Sequence, residues 1–207
     1  MKISRKLIWL NLVSLIIFIF ILLEVLFKGF FINWDVFINS LIKSSCVFMI
    51  NFSKVVGVIF DTKVLLGVLL LIAIYFWFKN SKKDSVFVFI LGLVSAGVIY
   101  ILKELFSRAR PLSDLVSETG FAFPSGHATM AVVFFGLLTY LIIRKNKNVC
   151  VKLISFISCV LIVLIIGFTR LYLGVHWFSD VIGGFAIGFF ILSCGILLRD
   201  FFPPKSL

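Results

Sequence analysis

The chain has 207 residues, of which 62% are hydrophobic and 14% charged, with a mean hydropathy of +1.21. Soluble domains carry about a quarter of their residues as charges, so this composition excludes a soluble fold and implies a polytopic membrane protein. The formal net charge of +11 is accordingly read as Lys and Arg at the cytoplasmic face and beside anionic headgroups, not as a nucleic-acid surface.

The N-terminal "MKISRKLIWLNLVSLIIFIFILLEVLF" begins like a signal peptide. Its apolar run outlasts an h-region of about 7–15 residues, and no small-x-small site follows. It is read as a retained first span over 7–27, with Glu24 near its outer end, where a carboxylate reaches the interface. Residues 28–58 are read as an outer connection. Within it Asp35, Asn39 and Lys43 recur every four residues, the period of an amphipathic interfacial helix over 34–50, with a plain surface connection as the equal alternative.

Five further spans are expected at 59–78, 85–102, 127–143, 149–169 and 181–198. Each approaches the roughly 20 apolar residues that cross a hydrocarbon core. The expected fold is all-α, with six transmembrane helices in one bundle and a single domain over residues 1–207. Cys46, Cys150, Cys159 and Cys194 show no paired spacing, so neither a disulfide framework nor a metal cluster is indicated.

Basic residues orient the chain. Lys2, Arg5, Lys6, Lys82, Lys83, Arg144, Lys145, Lys147, Arg199 and Lys205 all fall on one side if the chain crosses six times. That side is expected to be the cytoplasm, with both termini inside. The loops 103–126 and 170–180 then lie outside together, which brings both histidines of the chain to one face: His176 within the second loop and His127 directly after the first.

Three stretches on that face carry unusual chemistry. "KELFSRARP" supplies Lys103 and Arg110 before Pro111, "PSGH" runs from Pro124 to His127, and "RLYLGVHWFSD" supplies Arg170, His176 and Asp180. Cations at a membrane boundary are costly unless paired or wet. Arg offers a planar fork matched to phosphate oxygens, and Lys a compact charge. Ser125 and Gly126 precede a helix whose N-terminus favours an anion. Together these features point at a phosphoryl group.

Two histidines near one phosphate imply a division of labour. Asp180 lies four residues after His176, on the same face if the segment is helical. A carboxylate on one imidazole nitrogen leaves the other nitrogen's lone pair free to attack. His176 is therefore the expected nucleophile and His127, without a carboxylate nearby in sequence, the general acid. Lys103, Arg110 and Arg170 would stabilise the charge on the transferred group. No metal or other cofactor is expected.

Lys103-x6-Arg110-Pro111, Pro124-Ser125-Gly126-His127 and Arg170-x5-His176-x3-Asp180 resemble, in order, the three-part signature of the type 2 phosphatidic acid phosphatase family. The resemblance implies the same roles: His176 nucleophile, Asp180 its orienting partner, His127 the acid, and Lys103, Arg110, Ser125, Gly126 and Arg170 the phosphate cradle. It departs from the usual pattern at Thr169, where the family has Ser; the hydroxyl is kept. The implied substrate is a membrane lipid phosphate or pyrophosphate, with phosphatidylglycerol phosphate and polyprenyl pyrophosphate nearly level, beside phosphatidic acid.

Singly, each residue has a plainer reading, such as a wet interfacial histidine or an arginine reaching for headgroups. The alternative function is a lipid-phosphate transporter or binding protein without turnover. Arg108 is read as facing solvent or headgroups, with assistance to the phosphate site as the alternative, Glu104 as a partner for Lys103 or Arg108, and Trp177 as a boundary anchor.

Overall fold

A computed structural model describes residues 5–42 and 46–201, and among these it contains eight α-helices and no strand. They are α1 Arg5–Leu26, α2 Phe31–Ile42, α3 Val47–Ile59, α4 Thr62–Phe78, α5 Lys82–Phe106, α6 Gly126–Lys145, α7 Val149–Tyr172 and α8 Phe178–Phe201. Lys2, Lys43 and Lys205, used above for topology and for the interfacial helix, lie outside the described residues.

Helices α1, α5, α6, α7 and α8 are each long and apolar enough to cross a membrane. The span expected at 59–78 differs. Helix α4 has 17 residues and qualifies only together with α3, from which it bends by 43°. The described chain therefore holds five candidate spans, or six when the bent pair counts as one. The bend is built locally, because Asp61 caps a fresh helix by accepting a hydrogen bond from Lys63 N at 2.8 Å.

The interfacial helix expected over 34–50 is also corrected. Helix α2 stops at Ile42, and α3 begins at Val47 as a separate element. Residues 47–59 carry Lys54 as their single charge, too few polar groups to hold a helix at a water boundary. Helix α2 is amphipathic, but its polar side faces inward: Asp35 is buried while Trp34, Val36, Phe37 and Leu41 are exposed. Glu24 ends α1 by accepting a hydrogen bond from Phe31 N at 3.1 Å, so its carboxylate serves the start of α2.

Helices α6 and α8 form the centre of the bundle. Helix α1 packs along α8, α4 along α5, and α7 along α6. Leu69, Val88, Met130, Val133 and Leu137 are among the fully buried core residues. The α6–α8 approach depends on Gly184 and Gly188, one turn apart. A Cβ at Gly184 would lie 2.8 Å from the Ser125 carbonyl oxygen, and one at Gly188 would lie 2.7 Å from that of Thr129. Only hydrogen fits there, as in the small-xxx-small contacts of membrane helices.

At the end of the bundle away from the histidines, Asp84 of α5 accepts from Arg144 of α6 at 3.1 and 2.8 Å. Asp84 also pairs with Arg199 of α8, which donates in turn to the Tyr140 hydroxyl at 2.8 Å. Two cations counted toward topology are thus engaged in a clamp across three helices.

Candidate active site

Residues from six places in the chain meet at the other end. Lys103 closes α5, Arg110 sits in the irregular loop 107–125, and Ser125, Gly126 and His127 start α6. Arg170 lies in the last turn of α7, His176 in the short connection 173–177, and Asp180 in the first turn of α8. The loop is anchored by Phe123, which is wholly buried and packs against the rings of Phe18 and Phe106.

Asp180 is the hub. It is 0% exposed, which demands that its charge be fully matched. Its Oδ2 accepts from Trp177 N at 2.8 Å, closing the first turn of α8. The same oxygen lies 3.5 Å from His176 Nδ1. That is an ion-pair separation without hydrogen-bond geometry, and Nδ1 has no other hydrogen-bond partner among the described residues. Catalytic hydrogen bonds are often long before substrate binds.

His176 Nε2 lies 3.3 Å from an Arg110 guanidinium nitrogen. Arginine can only donate, so Nε2 carries the lone pair and Nδ1 the proton facing Asp180. Burial draws the His176 pKa from 6.5 down to about 4, against the raising pull of Asp180. The ring is therefore neutral, and its lone pair is turned toward the Arg110 cation. An electrophilic phosphorus held by Arg110 would be within that lone pair's reach.

Arg110 is fixed by donating to Val175 O at 2.8 Å, Gly120 O at 3.0 Å and Thr119 O at 3.2 Å. Arg170, 2% exposed, donates to Ser53 O of α3 at 2.7 Å and lies 3.5 Å from Thr169 Oγ1. The threonine hydroxyl thus keeps contact with the arginine beside it. Gly57 of α3 lies against the Arg170 guanidinium so closely that any Cβ would overlap it. Lys103 donates to Phe121 O and lies over Gly126, whose bare Cα face is also covered by Thr62 and Ile99. Ser125 is buried; its Oγ caps α6 at Ala128 N, and its N–H donates to Asp180 O at 3.0 Å. The structure therefore brings the second and third sequence motifs into direct contact.

His127 faces α3 and α4. Its Nε2 lies 3.0 Å from Gly57 O and 3.7 Å from Asp61 Oδ2. A cavity of about 830 Å³ opens beside it, lined in part by Lys54, Lys63, Glu118 and Arg170.

Several site residues were not assigned from the sequence. Arg108, expected to face solvent or headgroups, instead donates to Asp180 Oδ1 at 2.5 Å, Ser179 Oγ at 2.7 Å and Asp35 Oδ2 at 2.7 Å. Asp35 accepts further from Ser179 N at 2.8 Å and Ser179 Oγ at 2.7 Å. One guanidinium is thus shared between two buried carboxylates from opposite ends of the sequence. The available signal was Asp35 itself, a lone acid in a helix otherwise rich in Trp, Phe and Ile. Trp177 lies over Arg108 with its ring centroid 5.8 Å away and donates to Ala109 O at 3.0 Å, so it braces the loop. Glu118 stands between two of the expected phosphate cations, 3.9 Å from both Arg110 and Arg170. Among the described residues no cluster of three or more His, Cys, Asp or Glu is arranged to hold a metal ion.

Comparison with known proteins identifies this architecture. Phosphatidylglycerophosphatase B of Bacillus subtilis is 39% identical over 95 residues, 42% of this chain and 44% of that protein. Undecaprenyl-diphosphatase of Sulfolobus acidocaldarius is 25% identical over 137 residues, 63% of this chain and 62% of that protein. A lipid A 1-phosphatase of Rhizobium etli is 30% identical over 146 residues, 58% of this chain and 59% of that protein. The chain thus spans between 44% and 62% of the length of these curated relatives. The crystal structure of a transmembrane PAP2-type phosphatidylglycerolphosphate phosphatase from Bacillus subtilis superimposes with a TM-score of 0.78. That match covers 98% of this chain and 100% of the other at 22% identity, and so speaks for the fold. The family model described as PAP2 superfamily matches residues 85–201, more than half of the sequence and every one of its three motifs, so the chain belongs to the PAP2 superfamily.

Proposed function

We propose that residues 1–207 act as one integral membrane lipid phosphatase that hydrolyses a phosphomonoester or pyrophosphate through a phosphohistidine, without a metal. The observation that carries the reading is the neutral, buried His176, with its lone pair 3.3 Å from Arg110 and its other nitrogen beside Asp180. Pure binding of a lipid phosphate would need the cations but no such nucleophile.

In the first step the Nε2 lone pair of His176 attacks phosphorus, the bond from phosphorus to the leaving oxygen breaks, and His127 gives that oxygen a proton. In the second, His127 takes a proton from water, the water oxygen attacks phosphorus, and the P–N bond electrons return to Nε2. Lys103, Arg110 and Arg170 hold the equatorial oxygens, with Ser125 and Gly126 at the N-terminus of α6. The site opens at the outer face of the membrane with both termini in the cytoplasm, a reading that rests on the distribution of Lys and Arg. There it meets a substrate whose tail stays in the lipid.

The named relatives divide among phosphatidylglycerol phosphate, undecaprenyl diphosphate and lipid A. The deciding experiment is phosphate release by purified protein from phosphatidylglycerol phosphate, polyprenyl pyrophosphate and phosphatidic acid at matched surface concentration, with and without EDTA. Release from at least one lipid, undiminished by EDTA, is expected. Abolition by EDTA with rescue by magnesium would overturn the metal-free step.

Glu118 supplies a second test. Its carboxylate faces Arg110 and Arg170, where a phosphate is to bind, so substrate must outcompete it. Partly exposed ion pairs are worth about 0.2–1 kcal/mol each, so losing two of them through Glu118→Gln should lower KM, by about thirtyfold at most. An unchanged or raised KM would mean that Glu118 does not compete for the phosphate cations.

A further inference from the structure

The break between α3 and α4 has a chemical product. In an unbroken helix Gly57 O would accept a hydrogen bond from the amide of Asp61, four residues on. Here Asp61 N turns to Val58 O at 3.4 Å, and Phe60 N bonds to Val56 O. The Gly57 carbonyl is released and lies 3.0 Å from His127 Nε2. Asp61 divides its two oxygens: Oδ1 caps α4 at Lys63 N, and Oδ2 lies 3.7 Å from the same Nε2. Both groups facing that nitrogen can only accept, so Nε2 must carry a proton. The C-terminal end of α3, with its partial negative charge, lies there as well.

Resting on the phosphatase reading, we infer that Asp61 is a positioning residue for His127: with the freed Gly57 carbonyl it holds Nε2–H and stabilises the imidazolium, leaving Nδ1 to give its proton to the leaving oxygen. The proton balance is simple. His127 enters the first step doubly protonated, loses the Nδ1 proton to the departing alkoxide, and regains one at Nδ1 from the attacking water. The Nε2 proton stays on Gly57 O and Asp61 throughout. His127 thus has a carboxylate partner as His176 does, supplied across 66 residues of sequence and used for the opposite purpose. The remaining charges around the ring are Arg170 from α7, which opposes an imidazolium, and Glu118 from the loop, which favours it together with Asp61.

The test uses leaving groups. Phosphatidic acid expels a strongly basic alkoxide that needs a proton, whereas p-nitrophenyl phosphate expels a weakly basic phenolate that hardly does. Positioned general acids contribute about 10²–10⁴-fold. Asp61→Asn should therefore slow turnover of phosphatidic acid at least about tenfold more than that of the aryl phosphate. Asn still caps α4, so the span should restart normally. Asp61→Ser, which also caps, should give the same split, and Asp61→Glu should recover most of the lipid rate.

Equal slowing of both substrates by Asp61→Asn and Asp61→Ser, or no slowing of either, would overturn the inference. Wild-type protein that released phosphate from neither of these substrates, nor from phosphatidylglycerol phosphate or polyprenyl pyrophosphate, would overturn the phosphatase reading itself. The two failures are thus distinguishable.

Discussion

Replacing His176 by Ala is expected to lower phosphate release about a million-fold, the scale on which loss of a covalent nucleophile acts. The expectation follows from a single lone pair. His176 is 3% exposed and neutral, and no other neutral nitrogen base faces Arg110 among the described residues. Wild-type protein, mixed with a ³²P-labelled lipid phosphate and quenched in alkali, should carry the label on His176, and the Ala variant none. The variant should still bind substrate, because Lys103, Arg110 and Arg170 remain. A His176→Ala protein that kept a rate within tenfold of wild type would refute the covalent mechanism. It would mean that another group attacks phosphorus, whereas a wild-type protein that bound lipid phosphate and released none would favour the reading in which the cradle only carries it.

The second large effect is on the fold that supports this lone pair. Arg108 is the counter-ion of both Asp180 and Asp35, which are 0% and 2% exposed. Removing one partner of a buried ion pair costs about 3–5 kcal/mol, because a charge is left without compensation. Arg108→Ala leaves two such charges, and a fall of about 10 °C in the thermal midpoint is expected on that scale. Asp180 would also lose its fixed position beside His176, so turnover should fall as well.

A double-mutant cycle makes the claim specific. Arg108→Ala with Asp35→Asn should be more stable than Arg108→Ala alone, since one orphaned carboxylate has been neutralised. An Arg108→Ala protein with a wild-type midpoint, or a double variant worse than additive, would remove this network from the account.

The sequence was legible where chemistry is local and opaque where it is tertiary. Helix positions followed from long apolar runs, and α1, α5, α6, α7 and α8 lie close to the expected spans. Lys103, Arg110, His127, Arg170, His176 and Asp180 were singled out because their residue types and spacings are odd for a membrane boundary. The fold gathers them at one end of the bundle. Arg108 could not be read this way, since its two carboxylates are 73 and 72 residues away and nothing nearby marks it off from a headgroup-seeking cation.

Asp35 was misread for a related reason. A four-residue polar period says that a helix has two faces, but not which one water sees. Helix α3 was missed because a short apolar helix between polar breaks has no periodic signature of its own. Its contribution is made by main-chain carbonyls, from Ser53 and Gly57, and a backbone oxygen leaves no mark in a sequence.

The near-contact of α6 and α8 at Gly184 and Gly188 bears on life in a changing bilayer. Membranes differ in thickness, and spans respond by tilting. The outer helices α1 and α7 can lean with the lipid, but main chain already meets main chain between α6 and α8. The distance from the start of one to the start of the other is therefore insensitive to acyl-chain length and temperature. A shift in membrane composition would alter how substrate arrives far more than how the reacting groups are spaced.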